Sequence, residues 1–480
     1  MPEIFANYIA GDWVNGAPVF EDRNPANGEV VGCFVKGTAR DVEAAADAAA
    51  RALPAWSAMS APARGNILYK AAGILDGNFA RVSADMTREE GKTLPEAKGE
   101  VRRTINILRY FAGEGSRLPG MLAPSERDRV HMFALRKPVG VVGLITPWNF
   151  PSAIPAWKLA PALICGNTVV LKPASAAPLS AWRIVEALHE AGVPKGVVNF
   201  VAGPGGELGH ALVNAGPLRA VSFTGSCQVG NALHAEASQR RLRIQLEMGG
   251  KNPTIVLADA DFPTAVENVV NAAFFSTGQK CTATSRAIVE DAVYDRFVAA
   301  VVERTKRLKV GDGMDPGIDI GPCVDQAQME TVLRYIEIGR QESGEPRCGG
   351  RRLAEGALAK GYFVEPTVFA DVAEEHTIAR EEIFGPVLAI LRARDFEDAL
   401  RMANNTPFGL SSSIQTSNLS RVFEYVYRAE AGLLTVNLPS AGVEYQLPFG
   451  GSKESSFGPK EQGQAALEFY SDYKTVYLKY

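Results

Sequence analysis

Apolar and polar residues alternate with two different periods along most of the chain. Short, near-continuous apolar runs such as 139–145 are typical of buried strands. Segments with apolar residues at three- and four-residue steps, such as 96–112, are typical of amphipathic helices. Such alternation of strands with helices predicts a parallel sheet covered on both faces. Strands are predicted at 139–145, 168–171, 196–201, 220–223, 253–257, 286–289, 387–391 and 432–436, and helices at 42–52, 62–77, 96–112, 181–191 and 265–275.

The alternation falls into two series that meet near residue 250, which predicts two α/β domains in one chain. Two further segments, 129–136 and 472–480, alternate like half-exposed strands and belong to neither series. They predict either an arm that adds to the sheet of another subunit or an ordinary hairpin.

Composition and charge exclude several classes of protein. The apolar fraction is 46% and the charged fraction 22%, which is ordinary globular composition. The net charge is −4, so there is no overall positive field to attract nucleic acid or an anionic membrane. The uncharged run 138–157 contains four prolines, which a lipid-exposed helix could not accommodate. The first residues lack a secretory signal, so we expect a cytoplasmic protein with reduced cysteines.

Several candidate motifs fail at a single position. Gly91-Lys92-Thr93 resembles the end of a phosphate-binding loop, but Met86 stands where that loop needs its first glycine. In the segment 203–209 the third glycine comes one residue too late for a G-x-G-x-x-G fingerprint. This segment indicates either a dinucleotide site of a different kind or plain strand–turn–helix packing. The five histidines have no metal-binding spacing, so we expect no metal.

Cys281 and Glu247 are the strongest candidates for chemistry. Cys281 lies among small polar residues beside Lys280, and a neighbouring ammonium or main-chain N–H groups would lower the pKa of its thiol. Its alternative is an ordinary buried cysteine, as Cys33 and Cys165 are predicted to be. Glu247 precedes two glycines near the predicted domain boundary and could face a cleft there. The alternative for Glu247 is a solvated carboxylate before a turn.

Seven motifs in a fixed order resemble the aldehyde dehydrogenase superfamily over essentially the whole chain. Each motif alone is weak, but the series in this order is very specific. The motifs are Pro147-Trp148-Asn149-Phe150-Pro151, Lys172-Pro173-Ala174, Phe223-Thr224-Gly225-Ser226, Glu247-Met248-Gly249-Gly250-Lys251, Gly278-Gln279-Lys280-Cys281, Glu381-Glu382-Ile383-Phe384-Gly385-Pro386 and Pro448-Phe449-Gly450-Gly451.

The resemblance implies a role for three residues. Cys281 would attack the aldehyde carbon to give a thiohemiacetal. The Asn149 side-chain amide and the Cys281 main-chain N–H would stabilise the oxyanion. After hydride has passed to the nicotinamide, Glu247 would activate the water that hydrolyses the thioester.

The resemblance also implies a Rossmann-like cofactor-binding domain at 1–118 and 139–249, a catalytic domain at 250–460, and a small β oligomerisation arm at 119–138 and 461–480. The expected assembly is a homodimer or homotetramer. The cofactor-binding residues it implies are Ile145, Thr146, Pro147, Trp148, Lys172, Ser175, Gly205, Gly209, Phe223, Gly225, Ser226, Val229, Met248, Gly249, Glu382 and Phe384.

One departure from the family concerns the cofactor. Many NAD-preferring members carry Glu three residues after the lysine, where it binds the ribose 2′-hydroxyl. Ser175 stands there in this chain, which leaves room for a 2′-phosphate beside Lys172. We therefore expect NADP to be preferred and NAD to be usable.

The substrate positions implied by the resemblance are mostly aromatic, with one cation among them. They are Arg103, Phe150, Trp157, Phe275, Val443 and Phe449. A guanidinium in an aromatic tunnel suits an anionic substrate, although solvation at the surface beside Arg102 is the alternative. With the segments 91–100, 278–286 and 440–444, the chain is most similar to bacterial members that oxidise alpha-ketoglutaric semialdehyde (2,5-dioxopentanoate) to 2-oxoglutarate.

Other functions stay open on the sequence. Succinate semialdehyde also carries a distal carboxylate, and a broad aliphatic aldehyde dehydrogenase is a further alternative. A CoA-acylating relative would commonly lack an acid at Glu247. A different class is a catalytically silent dinucleotide-binding protein, against which the intact set of Cys281, Glu247 and Asn149 argues.

Overall fold

The computed structural model describes residues 2–480. Strands β1 to β24 are, in chain order, Ile4–Phe5, Asn7–Ile9, Asp12–Val14, Val19–Arg23, Val30–Val35, Met121–Pro124, Val130–Pro138, Val141–Ile145, Thr168–Lys172, Val198–Phe200, Leu218–Thr224, Arg243–Glu247, Pro253–Val256, Arg286–Glu290, Arg352–Leu353, Phe363–Val364, Thr367–Phe369, Val387–Ala393, Phe408–Gly409, Ser411–Gln415, Leu433–Val436, Ser452–Lys453, Ser456–Phe457 and Ser471–Lys479.

Helices α1 to α15 are Ala39–Ala58, Ala61–Gly77, Phe79–Glu90, Leu94–Glu114, Ala153–Ile164, Leu179–Glu190, Gly205–Asn214, Cys227–Gln239, Phe262–Phe274, Asp291–Thr305, Gln326–Ser343, Thr377–Arg380, Phe396–Asn404, Leu419–Arg428 and Ala465–Tyr470. Short 3-10 turns form at Phe275–Gly278 and Gly356–Leu358. No helix in the described chain is both long and apolar enough to cross a membrane.

The first sheet has eight strands in the order β23-β12-β11-β8-β9-β10-β2-β3, with a parallel centre from β12 to β10. Every residue of β8 and β9 is buried, as their near-continuous apolar sequences predict. Helices α1 and α7 cover one face and α5 and α6 the other, each over its own apolar core.

The second sheet has six parallel strands in the order β17-β18-β14-β13-β20-β21. Helices α9 and α10 pack in one core and α11 and α13 in the other. Two parallel sheets with helices on both faces confirm the predicted α/β class. The break between the series also lies near residue 250, because β12 ends the first series and β13 begins the second.

The two segments that fitted neither series pair with each other. Strand β24 runs antiparallel to β7 in a continuous register from Ser471 opposite Pro138 to Lys479 opposite Val130. Strand β6 forms a hairpin with the other edge of β7, so the arm is a three-stranded sheet. Within residues 2–480, no strand pairs with the outer edge of β24.

The predicted elements do not include the amino-terminal strands, strands β12 and β20 of the two large sheets, or any helix other than α1, α2, α4, α6 and α9. Strands β1, β4 and β5 form a separate small sheet. Helix α5 is buried along its whole length, so its apolar sequence has no polar face to reveal a helical period. Its Pro155 lies in the first turn, where a missing N–H costs nothing, and Pro161 lies inside the helix.

Candidate active site

The candidate site lies where the parallel strands of the first sheet end. Ile145 at the end of β8 is in register with Lys172 of β9 and with Phe223 of β11, and Thr224 is in register with Glu247 of β12. Ligands of open α/β sheets bind outside these carboxyl ends. A cavity of about 270 Å³ opens there, lined by Pro147, Trp148, Asn149, Ile154, Thr224, Gly225, Ser226, Met248, Gly249, Cys281, Gln328, Thr331, Glu382, Ile383 and Phe384.

A strained turn leads from helix α9 to Cys281. Ser276 and Thr277 both have left-handed φ values, 54° and 57°, which are costly for residues with a side chain. The Glu96 carboxylate accepts the Ser276 main-chain N–H at 2.6 Å, and the Thr277 hydroxyl donates to the Gly321 carbonyl at 3.0 Å. These bonds hold the turn in a conformation that its sequence alone would not prefer.

The Cys281 loop is also held from the start of the second sheet. The Asn252 side-chain amide donates to the main-chain oxygens of Cys281 at 2.7 Å and Ala283 at 2.9 Å. The Asn252 oxygen in turn accepts the Ser411 N–H at 3.1 Å. Cys281 itself is half-buried, so its sulfur faces the cavity while its main chain is fixed.

The electrostatic surroundings of the Cys281 thiol differ from those predicted. Burial, together with the charges of Glu382 and Glu247, raises the pKa of Cys281 to about 12, although two main-chain N–H groups oppose this shift. The Lys280 ammonium donates instead to the Asn271 carbonyl at 3.4 Å, and burial lowers its own pKa to about 8. Lys280 therefore does not lower the thiol pKa as expected, whereas the main-chain N–H groups do act in the expected direction.

Asn149 reaches the cavity from the loop after β8. The side chain is buried, and its amide donates one hydrogen bond to the Gln279 carbonyl at 3.0 Å. Gln279 is two residues before Cys281, so this bond joins the two segments. A carboxamide has two N–H donors, which leaves a second one for a ligand in the cavity.

Glu247 lies at the edge of this site. Its carboxylate accepts the Ser456 hydroxyl at 2.6 Å, and a side chain on Gly450 would come within 2.6 Å of its other oxygen. Burial and the nearby charge of Glu461 raise the pKa of Glu247 well above its ordinary value. Among the described residues, Glu247 is not part of the cavity lining, although its charge acts on Cys281.

Two glycines and the start of helix α8 form a cradle beside the cavity. A side chain on Gly225 would collide with the Phe223 ring, and one on Gly249 would collide with the Glu382 carboxylate. Ser226 caps the amino end of α8, and its hydroxyl accepts the Val229 N–H at 3.4 Å. Main-chain N–H groups at a helix start suit an anionic ligand.

Glu382 and Phe384, two further residues of the predicted cofactor site, line the same cavity. Glu382 accepts the Gly250 N–H at 2.9 Å, and burial raises its pKa to about 7. The Phe384 ring meets the Trp148 ring edge-on at 5.4 Å between centroids.

Lys172 and Ser175 lie further along the same sheet edge. The Lys172 ammonium is buried with the Pro173 carbonyl as its hydrogen-bond partner, and burial lowers its pKa to about 8. The half-buried Ser175 hydroxyl donates to the Gly203 carbonyl at 2.6 Å.

Other predicted cofactor residues surround this edge. Thr146 donates its N–H to the Lys172 carbonyl at 3.1 Å, and Val229 is exposed on the first turn of α8. Gly205 is exposed at the start of α7, and a side chain on Gly209 would reach Ile145.

Three of the predicted substrate residues form one cluster. The Arg103 guanidinium lies over the Trp157 ring at 5.5 Å, and the Trp157 ring lies 5.4 Å from Phe449. Arg103 donates to the Gln462 side-chain oxygen at 3.4 Å. Burial lowers the pKa of Arg103, and Glu100 and Cys281, where they are ionised, partly oppose this shift.

The other three substrate positions are more dispersed. Phe150 is half-buried beneath the Lys92 ammonium, 4.5 Å from the ring centre. Phe275 packs against the apolar core of the second sheet. Val443 is half-buried in the loop before Phe449.

Several lining residues were not predicted. Ile154, Thr224, Thr331 and Ile383 border the cavity, as does Gln328, whose amide donates to the carbonyls of Ile383 at 3.1 Å and Phe384 at 2.8 Å. Thr224 and Ile383 lie inside motifs that had been noted, so position in the motif was an available signal. Gln328 lies on α11 in a segment with no motif.

Comparison with known proteins agrees with this geometry. The family model described as "Aldehyde dehydrogenase family" matches residues 13–476. An alpha-ketoglutaric semialdehyde dehydrogenase of Bacillus subtilis is 47% identical over 99% of this chain and 98% of the relative. An alpha-ketoglutarate semialdehyde dehydrogenase of Haloferax volcanii is 44% identical over 99% of each chain. The crystal structure of a Staphylococcus aureus betaine aldehyde dehydrogenase in complex with NAD+ superposes with a TM-score of 0.96, at 32% identity over 99% of this chain and 95% of that one.

Proposed function

The chain belongs to the aldehyde dehydrogenase family and is an NAD(P)-dependent enzyme that oxidises aldehydes, and we propose that its substrate is alpha-ketoglutaric semialdehyde. The product of that reaction is 2-oxoglutarate. Relatives that carry this substrate in their names match along nearly the full chain, which supports the proposal.

The observation that carries the proposal is the half-buried guanidinium of Arg103, which has no carboxylate partner within residues 2–480. Arg103 has no acidic partner within salt-bridge distance among the described residues, and its buried Nε has no hydrogen-bond partner there. Buried cations are normally paired, because an unpaired charge is costly away from water. The 2-oxo-carboxylate end of the substrate supplies both a negative charge and a second acceptor, which matches a guanidinium fork.

The chemistry follows from Cys281, Asn149 and Glu247. In our proposal, the Cys281 thiol gives its proton to water as its sulfur bonds to the aldehyde carbon, and the second N–H of the Asn149 amide bonds the oxygen as it becomes negative. Loss of hydride from that carbon to a bound nicotinamide would then leave the thioester. Glu247 takes a proton from the water that later attacks the thioester, releasing the carboxylate product and the free thiol. Its raised pKa makes the carboxyl a stronger base than an exposed glutamate.

The cradle beside Cys281 fits a dinucleotide. Its features are Gly225 and Gly249, whose lack of a side chain leaves room for Phe223 and Glu382, the start of α8 at Ser226, and the Glu382 carboxylate. When bound, the nicotinamide supplies the hydride acceptor. We propose a preference for NADP, because the buried Lys172 ammonium lacks a counter-charge and the neighbouring Ser175 adds none.

Two free sheet edges support an oligomer. The outer edge of β24 and the outer edge of β21 in the second sheet are both without a partner strand in the described chain. Tyr477 and Leu478 on β24 are 60% and 48% exposed, which is unusual for large apolar side chains. We propose that the arm, residues 119–138 and 461–480, pairs with a second copy to form a dimer or a dimer of dimers. The cofactor domain at 1–118 and 139–249 and the catalytic domain at 250–460 form the rest of each subunit.

The proposal is tested by kcat/KM for four aldehydes with each cofactor. The aldehydes are alpha-ketoglutaric semialdehyde, succinate semialdehyde, propanal and pentanal. We expect the first to have the highest kcat/KM, succinate semialdehyde to come second, and the neutral pair to come last. Equal values for the acidic and neutral aldehydes would refute anion recognition, and a clear preference for succinate semialdehyde would reassign the substrate.

A further inference from the structure

The Gly91-Lys92-Thr93 segment fails as a phosphate-binding loop, but it places a lysine inside the protein beside Asn149. Lys92 is only 2% exposed. Its ammonium donates to the Glu100 carboxylate at 2.5 Å and to the main-chain oxygen of Asn149 at 2.8 Å. The same ammonium lies 4.5 Å from the centre of the Phe150 ring. Burying a charged group costs free energy. A lysine that is buried and held by these contacts is therefore expected to have a role beyond packing.

Glu100 binds the other end of the segment 149–153. Its second carboxylate oxygen accepts the main-chain N–H groups of Ser152 at 2.9 Å and Ala153 at 3.0 Å, where helix α5 begins. The Thr104 hydroxyl lies 2.9 Å from the Ser152 hydroxyl. Lys92 and Glu100 thus form an ion pair that grips residues 149–153 at both ends.

We propose that Lys92 is a positioning residue for the Asn149 oxyanion donor, an inference that rests on the proposed function. The hydrogen bond from Lys92 fixes the peptide plane after Asn149, and with it the direction of the Asn149 side chain. The Gln279 carbonyl fixes the amide at its far end. A donor stabilises developing charge only if it is aimed beforehand, since reorganisation at the moment of reaction cancels the gain.

The primary test is the variant Lys92→Met. We expect kcat for aldehyde oxidation to fall about 100-fold, the loss typical of one misplaced oxyanion donor. The dissociation constant for NADP should stay within about twofold, as should the rate at which iodoacetamide alkylates Cys281, because alkylation needs the sulfur but no oxyanion donor. Unchanged kcat in a folded variant, or equal losses in oxidation and alkylation, would overturn the inference.

A double-mutant cycle separates positioning from a general structural effect. If Lys92 acts through Asn149, then Lys92→Met should lower kcat by less than about threefold in an Asn149→Ala background. If the kcat losses of the two single variants instead multiply in the double variant, Lys92 acts by some other route, and the inference is refuted. If Lys92→Met does not fold with Glu100 left unpaired, the variant Lys92→Met/Glu100→Gln removes both charges and enters the same cycle.

Arg64→Met is the matched control for loss of a buried cation. Arg64 is 5% exposed and donates to the Ile164 carbonyl at the opposite end of α5. Its removal should lower the melting temperature but leave kcat within about threefold. A kcat loss as large as that of Lys92→Met would show that any buried cation bonded to the main chain at an end of α5 matters equally, and would count against the inference. A wild-type enzyme that oxidises no aldehyde would refute the proposed function itself, before any variant is compared.

Discussion

Arg102 and Arg103 are consecutive on α4, yet only Arg102 has a carboxylate partner, Asp76 at 2.8 Å. This difference separates a surface arginine from one available to a substrate. We expect Arg103→Leu to raise KM for alpha-ketoglutaric semialdehyde about 10- to 100-fold, since hydrogen bonds to a charged group contribute about 1.5–3 kcal/mol. KM for propanal should change by less than about twofold. Steady-state kinetics with both aldehydes measures the difference.

Arg102→Leu is the matched control for this prediction. It removes the same side chain one residue away, on the exposed face of the helix. Because exposed ion pairs contribute little, its KM values should stay close to those of the wild type. If Arg103→Leu raises KM equally for both aldehydes, the guanidinium supports the packing around Trp157 instead of binding an anion.

Replacing Cys281 tests the covalent step. We expect Cys281→Ala to lower aldehyde oxidation by at least about 10⁴-fold, because Cys281 is the only thiol that lines the cavity in the described chain. Binding of NADP, followed by quenching of tryptophan fluorescence, should persist. Retained turnover would remove Cys281 from the mechanism, and loss of cofactor binding would indicate a collapsed site.

Glu247→Gln tests the second half-reaction. If Glu247 activates the hydrolytic water, its amide should slow deacylation about 10²- to 10⁴-fold while leaving the first hydride transfer fast. Stopped-flow absorbance at the wavelength of the reduced cofactor should then show one rapid turnover per active site followed by a stall. Equal slowing of the burst and of the steady state would assign Glu247 to a different step.

The pH dependence of thiol alkylation tests the electrostatics of the same pair. The pKa of Cys281 is raised by burial and by the Glu382 and Glu247 charges, so the thiolate fraction, and with it the alkylation rate, should rise about tenfold per unit between about pH 7 and 10. Glu247→Gln removes one of the charges that raises this pKa. Alkylation should therefore become faster at a given pH, most clearly where Glu247 is ionised in the wild type. Slower alkylation would instead show that Glu247 draws the proton from the thiol.

The sheet strands that were predicted are those whose burial on both faces gives a continuous apolar run, whereas the buried but polar β20 was missed. A strand such as Val141–Ile145 shows its apolar run directly in the sequence. Helix α5 is apolar all round and carries two prolines, so no local pattern separates it from a loop or a strand. The short strands before residue 24 depend on tertiary pairing, which local propensity does not encode.

The candidate site was predictable only where a motif marks it. Cys281, Asn149 and Glu382 stand in motifs, and the structure places all three around one cavity. The role suggested for Lys92 depends on a contact with a residue 57 positions away, which no spacing rule shows. The pKa of Cys281 depends on burial and on carboxylates from two other segments, and its neighbour Lys280 is not among the groups that shift it.

Cofactor preference can be changed at Ser175. We expect Ser175→Glu to raise KM for NADP at least about tenfold, because a carboxylate there would repel a 2′-phosphate, while KM for NAD should stay level or fall. Ser175→Gln is the matched control, since it adds the same bulk without the charge. If the two variants behave alike, size rather than charge governs the choice. If wild type already prefers NAD, the inference from Lys172 and Ser175 is wrong.

The arm should fail to assemble when a charge is placed on its outer strand. Tyr477 on β24 is 60% exposed, and a second copy that paired along this edge would bury it. We expect Tyr477→Asp to shift the protein toward a monomer, because a carboxylate buried without a partner is strongly disfavoured at an interface. Light scattering coupled to size-exclusion chromatography measures the mass directly. Tyr69→Asp is the control, since Tyr69 is equally exposed at 60% but lies on α2, away from the arm. A wild-type protein that runs as a monomer, or a Tyr477→Asp protein with unchanged mass, would refute assembly through this edge.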